Sequence, residues 1–171
     1  EDTAVIEALQ EKFALYADNF PVWSEHSTGI AQFAVWSTLA QEKIAKAGFS
    51  HRIAFHAVDM LSPATLPGDA DVWWMSQFLD CFSPDQIVAM LARVARLCIM
   101  ELFWDAQKFE AASFSLNATS LYFTCMANGN SRFYSVEKFY RYLESAGFNV
   151  EQRLDNLGVG HTLLICTKRE Q

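Results

Sequence analysis

The sequence has no apolar stretch near the ~20 residues that a bilayer span requires, and no basic segment followed by an apolar one marks a secretory leader. Basic residues are few: 13 Lys and Arg stand against 20 Asp and Glu, a net charge of −7. That balance disfavours nucleic acid and anionic membrane surfaces as partners. No C-x-x-C pair and no Cys/His cluster occurs, so no metal site is expected. The four cysteines, Cys81, Cys98, Cys125 and Cys166, stand far apart in apolar surroundings. They read as free thiols in a reducing, cytoplasmic setting. A G-x-S-x-G elbow is also lacking, which disfavours a serine hydrolase. His26, His51 and His56 have no ligand company, and His161 fits a structural role.

What is present is apolar and aromatic. Of 171 residues, 51% are hydrophobic and 14% are Phe, Trp or Tyr. One domain with a real core is expected, together with a ligand pocket or subunit interface to hold the rings. The chain begins at Glu1 and not at Met, which points to further sequence upstream.

Apolar spacing at Val5, Ile6, Leu9, Phe13 and Tyr16 predicts a helix over 3–17. Ser37 is a candidate cap for a helix to Ala47, with Gly48 closing it in the left-handed conformation. Ile53, Phe55 and Ala57 alternate along a strand that ends at Asp59. Asp71–Met75 reads as a short buried strand. Ser83, Pro84 and Gln86 form a capping box opening a helix that is expected to run to about Ala95. Residues 97–103 read as another buried strand and 108–126 as a long helix. Asn128, Gly129 and Asn130 make a turn, and Ser135 caps a helix ending at Ala146–Gly147. Two strands, 148–155 and 161–168, close the chain; five residues join them, too few for a crossover, so they must form an antiparallel hairpin. The expected architecture is α/β: a Rossmann-like, mainly parallel sheet with helices on both faces and a C-terminal antiparallel hairpin.

Four stretches carry a family resemblance. They are Arg52–Phe55 through Val58-Asp59-Met60-Leu61, Leu66-Pro67 through Asp71-Val72 and Met75-Ser76, Ser83-Pro84-Asp85-Gln86 through Leu91, and Ser131-Arg132 through Phe139 and Ala146-Gly147-Phe148. Their order and spacing over roughly 120 residues resemble class I S-adenosylmethionine-dependent methyltransferases, nearest the O-methyltransferases of plant phenolics and hydroxyindoles. The resemblance implies S-adenosylmethionine as cofactor, with the donor across the carboxyl ends of the strands. Asp59 matches the acidic residue that accepts from the adenine amino group, although it also fits an Asp closing the turn at Met60–Ser62. Met60 matches the residue packed on the adenine ring. Ser76 and Gln77 fall where the family's fourth strand ends beside the cofactor. Glu101 matches a glutamate beside the catalytic base, and Arg132 is a candidate ion-pair partner for it. Phe114, Tyr122, Phe123 and Met126 are candidates to line an aromatic acceptor pocket, with Asn117 and Asn128 as polar contacts; core packing is the simpler alternative.

Departures from the family pattern sharpen the expectation. Its glycine-rich loop is reduced to a trace at Thr28-Gly29, and the acid that would hold the ribose is absent. The junction of Arg96 with Leu97 has no turn residue, so a connecting loop is expected to be lost there, and another within 18–37. The family's catalytic histidine falls at Asp80, and a second family glutamate falls at Ser131. Asp80 and Glu101 are therefore the candidate catalytic pair. An ordinary aspartate, near pKa 3.9, is a poor base toward a phenol, so Asp80 needs burial or a like charge to serve.

The function expected is methyl transfer to a hydroxyl of a small aromatic or polyketide-like molecule. A catalytically inactive relative that binds a small ligand or a partner subunit is the alternative, and an unrelated nucleotide-binding Rossmann protein is disfavoured by the hairpin. Residues 1–27 are read as a helical remnant of a dimerisation region, 28–171 as the methyltransferase domain, and the protein as a cytoplasmic homodimer acting on a small molecule.

Overall fold

The computed structural model describes residues 38–39, 41–48, 50–51, 59–63, 66, 71–126 and 129–169. The chain divides into two compact units, Glu1–Asp59 and Met60–Gln171. In the first, residues 38–39 and 41–46 are helical. Gly48, at φ +79°, donates its N–H to Ala45 O and closes that helix as its sequence implies. The capping residue Ser37, the helix over 3–17, the strand ending at Asp59 and the boundary at residue 27 lie outside the described residues.

The second unit is a mixed sheet with helices packed on it. Its strands are β1 (Trp73–Ser76), β2 (Leu97–Glu101), β3 (Phe148–Leu157) and β4 (His161–Lys168), in the order β1-β2-β4-β3. β1 and β2 are parallel, with Met75 opposite Ile99. β4 runs antiparallel to β2, and β3 antiparallel to β4, so the terminal hairpin forms as expected. Among the described strands, one pairing is parallel and two are antiparallel.

The helices are α1 (Pro84–Leu91), α2 (Glu110–Met126) and α3 (Val136–Ser145). α1 starts at the expected capping box: Ser83 Oγ accepts from Gln86 N at 3.4 Å, and Gln86 Oε1 accepts from Ser83 N at 2.9 Å. α3 starts at Ser135, whose Oγ accepts from Lys138 N, and ends before Gly147 at φ +82°. Period-two alternation sends Leu97, Ile99 and Glu101 of β2 to one face, beside Leu164 and Cys166 of β4. There they meet Ile87, Met90 and Leu91 of α1 and Phe139 and Leu143 of α3 in one core. On the opposite face Cys98, Met100, Leu163 and Ile165 are half-buried, and Trp74 is 57% exposed.

One expectation is corrected. No loop is lost between Arg96 and Leu97, because α1 ends at Leu91 and not near Ala95, leaving Ala92–Arg96 as the turn. That turn needs neither Gly nor Asn. Arg93 N and Val94 N make short bonds back to Met90 O and Leu91 O. The freed carbonyls of Ala92 and Val94 accept from Lys168 Nζ at 2.7 and 3.1 Å. A cation 74 residues further along the chain thus caps the helix.

Phe139 is fully buried at the centre of this core, edge-on to Phe103. Its replacement by Ala is expected to cost about 3–5 kcal/mol. Ser83→Ala is expected to cost about 1 kcal/mol through loss of the cap. Urea unfolding of both variants measures the two losses.

Candidate active site

Parallel pairing puts the carboxyl ends of β1 and β2 at the same edge of the sheet, the edge at which open α/β sheets bind ligands. β1 ends at Ser76, and Gln77 then turns the chain with φ +49°, a left-handed conformation that is costly for a side-chain-bearing residue. Its N–H donates to Met100 O. Phe78 follows, and then the short 3₁₀ turn Leu79–Cys81.

Glu101 closes β2 on the buried face, 2% exposed. A carboxylate so placed is tolerable only if its oxygens are satisfied. Oε1 accepts from the amides of Phe78 and Leu79, both at 2.9 Å, and Oε2 accepts from Gln77 Nε2 at 3.4 Å. Asp80 sits on the clamped turn, itself 6% exposed. Cys81 Sγ donates to Asp80 Oδ1 at 3.5 Å.

Burial pushes the Asp80 carboxyl up to about 6 from its usual 3.8, against hydrogen bonds that pull it down. Burial first, and then the charge of Asp80, hold the Glu101 carboxyl well above the ordinary range. The same burial, reinforced by both carboxylates, keeps the Cys81 thiol protonated. The sequence requirement that Asp80 be desolvated is thus met.

The segment before α3 completes the wall. Arg132 N donates to Asp80 O at 2.8 Å, and Thr124 Oγ1 of α2 donates to Ser131 O. Tyr134 donates its hydroxyl to Phe82 O at 2.6 Å, and burial pushes that phenol up to about 12. Arg132 does not pair with Glu101 as expected. Its Nε donates to Asn130 O, and its guanidinium lies 5.9 Å from the Tyr134 ring centre. Backbone amides take the place of a cation at Glu101, which a one-dimensional pattern of charges does not reveal.

The structure brings Gln77, Asp80, Glu101 and the Arg132 backbone together, with Ser76 next in the chain. Met60 is half-buried against the core, its carbonyl accepting from Arg93 Nη1 at 2.6 Å. Asp59 is exposed at the end of the first unit. Asn117, Tyr122 and Met126 lie on the exposed side of α2, where Asn117 Nδ2 donates to Ser113 O. Of the aromatic candidates, Phe123 is buried against Phe133 and Phe114 is exposed. Asn128 lies outside the described residues. Sequence reasoning missed the amides of Phe78 and Leu79 and the Cys81 thiol. An apolar strand ending in Glu was the one signal available for the first.

The described residues hold no cluster of His, Cys, Asp or Glu fit for a metal, and none of their helices is long and apolar enough to cross a membrane. No protein-family profile and no curated protein matches the sequence. Solved structures do match its fold. Mitomycin 7-O-methyltransferase MmcR aligns with TM-score 0.65 and 21% identity, over 78% of this chain and 39% of that one. An O-methyltransferase family 2 protein from Planctomyces limnophilus, in complex with apigenin, gives TM-score 0.64 and 19% identity, over 77% and 39%. NcsB1, an O-methyltransferase from neocarzinostatin biosynthesis in complex with S-adenosylmethionine and 2-hydroxy-5-methyl naphthoic acid, gives 0.62 and 16%, over 78% and 38%. The chain therefore has the α/β fold of these O-methyltransferases and spans about two-fifths of their length.

Raised carboxyl pKa values mean that the folded chain binds protons more tightly than the unfolded chain between about pH 4 and pH 6. The contribution of Asp80 to stability is therefore greatest below pH 4 and declines as pH rises through that window. Asp80→Asn, which carries no charge to bury, is expected to gain stability relative to the parent by on the order of 2–3 kcal/mol between pH 4 and pH 7. Denaturant melts at the two pH values check this.

Proposed function

We propose that the protein is an S-adenosylmethionine-dependent methyltransferase that methylates a hydroxyl of a small aromatic or polyketide-like molecule. One observation carries the reading: a buried, amide-anchored carboxylate pair at the carboxyl edge of a sheet whose fold is that of O-methyltransferases. Apigenin and 2-hydroxy-5-methyl naphthoic acid, held in two of the similar structures, are aromatic hydroxyl compounds.

The residue types that the resemblance carries over suit the cofactor's chemistry: the Asp59 carboxylate the adenine amino group, the Met60 thioether the ring face, and the polar groups of Ser76 and Gln77 the strand end. When bound, S-adenosylmethionine supplies an electrophilic methyl group. Asp80 is the base of this reading. A phenol near pKa 10 lies about six units above an ordinary aspartate, and burial narrows the gap to about four. The Asp80 carboxylate would take the proton of the acceptor hydroxyl; the cofactor would supply the methyl group, its methyl–sulfur bond breaking, and leave as the neutral thioether S-adenosylhomocysteine. Glu101, tied to the Phe78 and Leu79 amides, fixes the turn that carries Asp80. Arg132, Asn117, Tyr122, Asn128 and Met126 complete the proposed acceptor contacts. The rest of the acceptor cavity belongs to the reading of a Rossmann-like, mainly parallel sheet that continues beyond β1 and has helices on both faces.

We also read the protein as a cytoplasmic homodimer. α2 carries one charged residue, Glu110, in 17, while the chain as a whole bears −7. Phe114 and Leu121, 74% and 68% exposed, lie about 20° apart around the helix, and Tyr122 and Met126 lie about 80–120° from Phe114. The first pair is an uncharged surface on which two acidic copies approach without repulsion.

Calorimetry with S-adenosylhomocysteine is expected to show one site per chain; absence of binding overturns the assignment. Asp80→Asn is expected to lower kcat by about 10²–10³-fold, and an unchanged rate removes Asp80 as base. Phe114→Glu with Leu121→Glu is expected to halve the mass found by sedimentation equilibrium.

A further inference from the structure

Asp80 is held in an unusual way. A base must be oriented, and the strongest devices for orienting a carboxylate, an arginine or a lysine, also pull its pKa down and weaken it. Among the described residues no cation pairs with Asp80. Its one side-chain donor is the neighbouring thiol, with Cys81 Sγ 3.5 Å from Oδ1. The Ser131 hydroxyl hydrogen-bonds the same thiol. Both residues are buried, Cys81 to 7% and Ser131 to 8% exposure. Ser131 is itself fixed, since its carbonyl accepts from Thr124 Oγ1 and the next amide, that of Arg132, donates to Asp80 O.

We propose that Cys81 is a positioning residue for Asp80: its thiol, steadied by Ser131, holds the carboxylate by Oδ1 at only a small cost to its basicity. This role rests on the reading of Asp80 as the base. A thiol suits the task because it is a weak, neutral donor. Ionisation of this thiol is opposed by burial and by the two neighbouring carboxylates, so it stays a donor over the whole working range of the base. A hydroxyl at the same place would donate a shorter and stronger bond and draw the carboxyl pKa down. A methyl group would leave the carboxylate to its backbone donors alone, at Asp80 and Cys81, and its pKa higher. The other ionisable groups facing Asp80 are Glu101 from β2 and Tyr134 from the segment before α3; they are unchanged in either substitution, and Arg132 meets Asp80 through its backbone N–H.

The test follows the Asp80 carboxyl carbon by NMR across pH 4–8 in the full chain, together with the pH profile of methyl transfer to a phenolic acceptor. Cys81→Ala is expected to raise the Asp80 midpoint by about half a unit and Cys81→Ser to lower it by about half to one unit. The acidic limb of kcat/KM is expected to move with it. In Cys81→Ala, kcat should fall about 5–10-fold with KM unchanged, the loss of one weak hydrogen bond and of orientation. Ser131→Ala should shift the midpoint in the same direction as Cys81→Ala, by less. A midpoint that stays put in both Cys81 variants overturns the role, as does a midpoint that moves while the acidic limb does not. The NMR readout needs no turnover. If the parent chain fails to transfer a methyl group from S-adenosylmethionine, the transferase reading falls and takes this role with it, a result distinct from an unmoved midpoint.

Discussion

The burial of Glu101 is the constraint on which the rest of the site depends. A carboxylate 2% exposed at the end of a central strand is tolerable only with donors on its oxygens. Those donors are the amides of Phe78 and Leu79, and they lie one strand away, just beyond β1. To reach Glu101 the chain leaves β1 through Gln77 in a left-handed conformation. Satisfying one side chain thus sets a strained residue, fixes the turn Leu79–Cys81, and places Asp80 beside a like charge. Burial raises both carboxyl pKa values, and at Glu101 the charge of Asp80 adds to it.

The same arrangement links fold to chemistry. Asp80 lies buried at the carboxyl edge of the sheet, so the burial that raises its carboxyl pKa also makes the folded chain less stable as pH rises. Stabilising the site by pairing Asp80 with a cation would remove its basicity. The structure instead uses weak neutral donors on it, a thiol and backbone groups, with a serine hydroxyl on the thiol in turn. Stability is supplied elsewhere, by the aromatic cluster of Phe103, Tyr134, Phe139 and Tyr142 and the aliphatic layer of α1 on β2.

Local signals in the sequence were legible wherever they had local causes. The capping box at Ser83 and the N-cap at Ser135 are set by side chains three residues from the amides they cap, so they appear where the pattern puts them. The hairpin of β3 and β4 follows from a connection too short for any crossover. The end of α1 was misplaced because its cap, Lys168, comes from the far end of the chain. The partner of Glu101 was misassigned to Arg132 for a similar reason. Charge matching in sequence finds cations, and the actual donors are amides, which every residue carries and no pattern marks.

By itself, the sequence determined the alternation of strands and helices in the second unit, the terminal hairpin, and the presence of two acids, Asp80 and Glu101, in unusually apolar company. Periodicity, caps and connection lengths are short-range properties, so residue order suffices for them. Only tertiary structure decided that these acids share one buried site and that amides and a thiol hold them. Burial and desolvation arise from what surrounds a group in space, and the neighbours of Glu101 are 22 and 23 residues away along the chain.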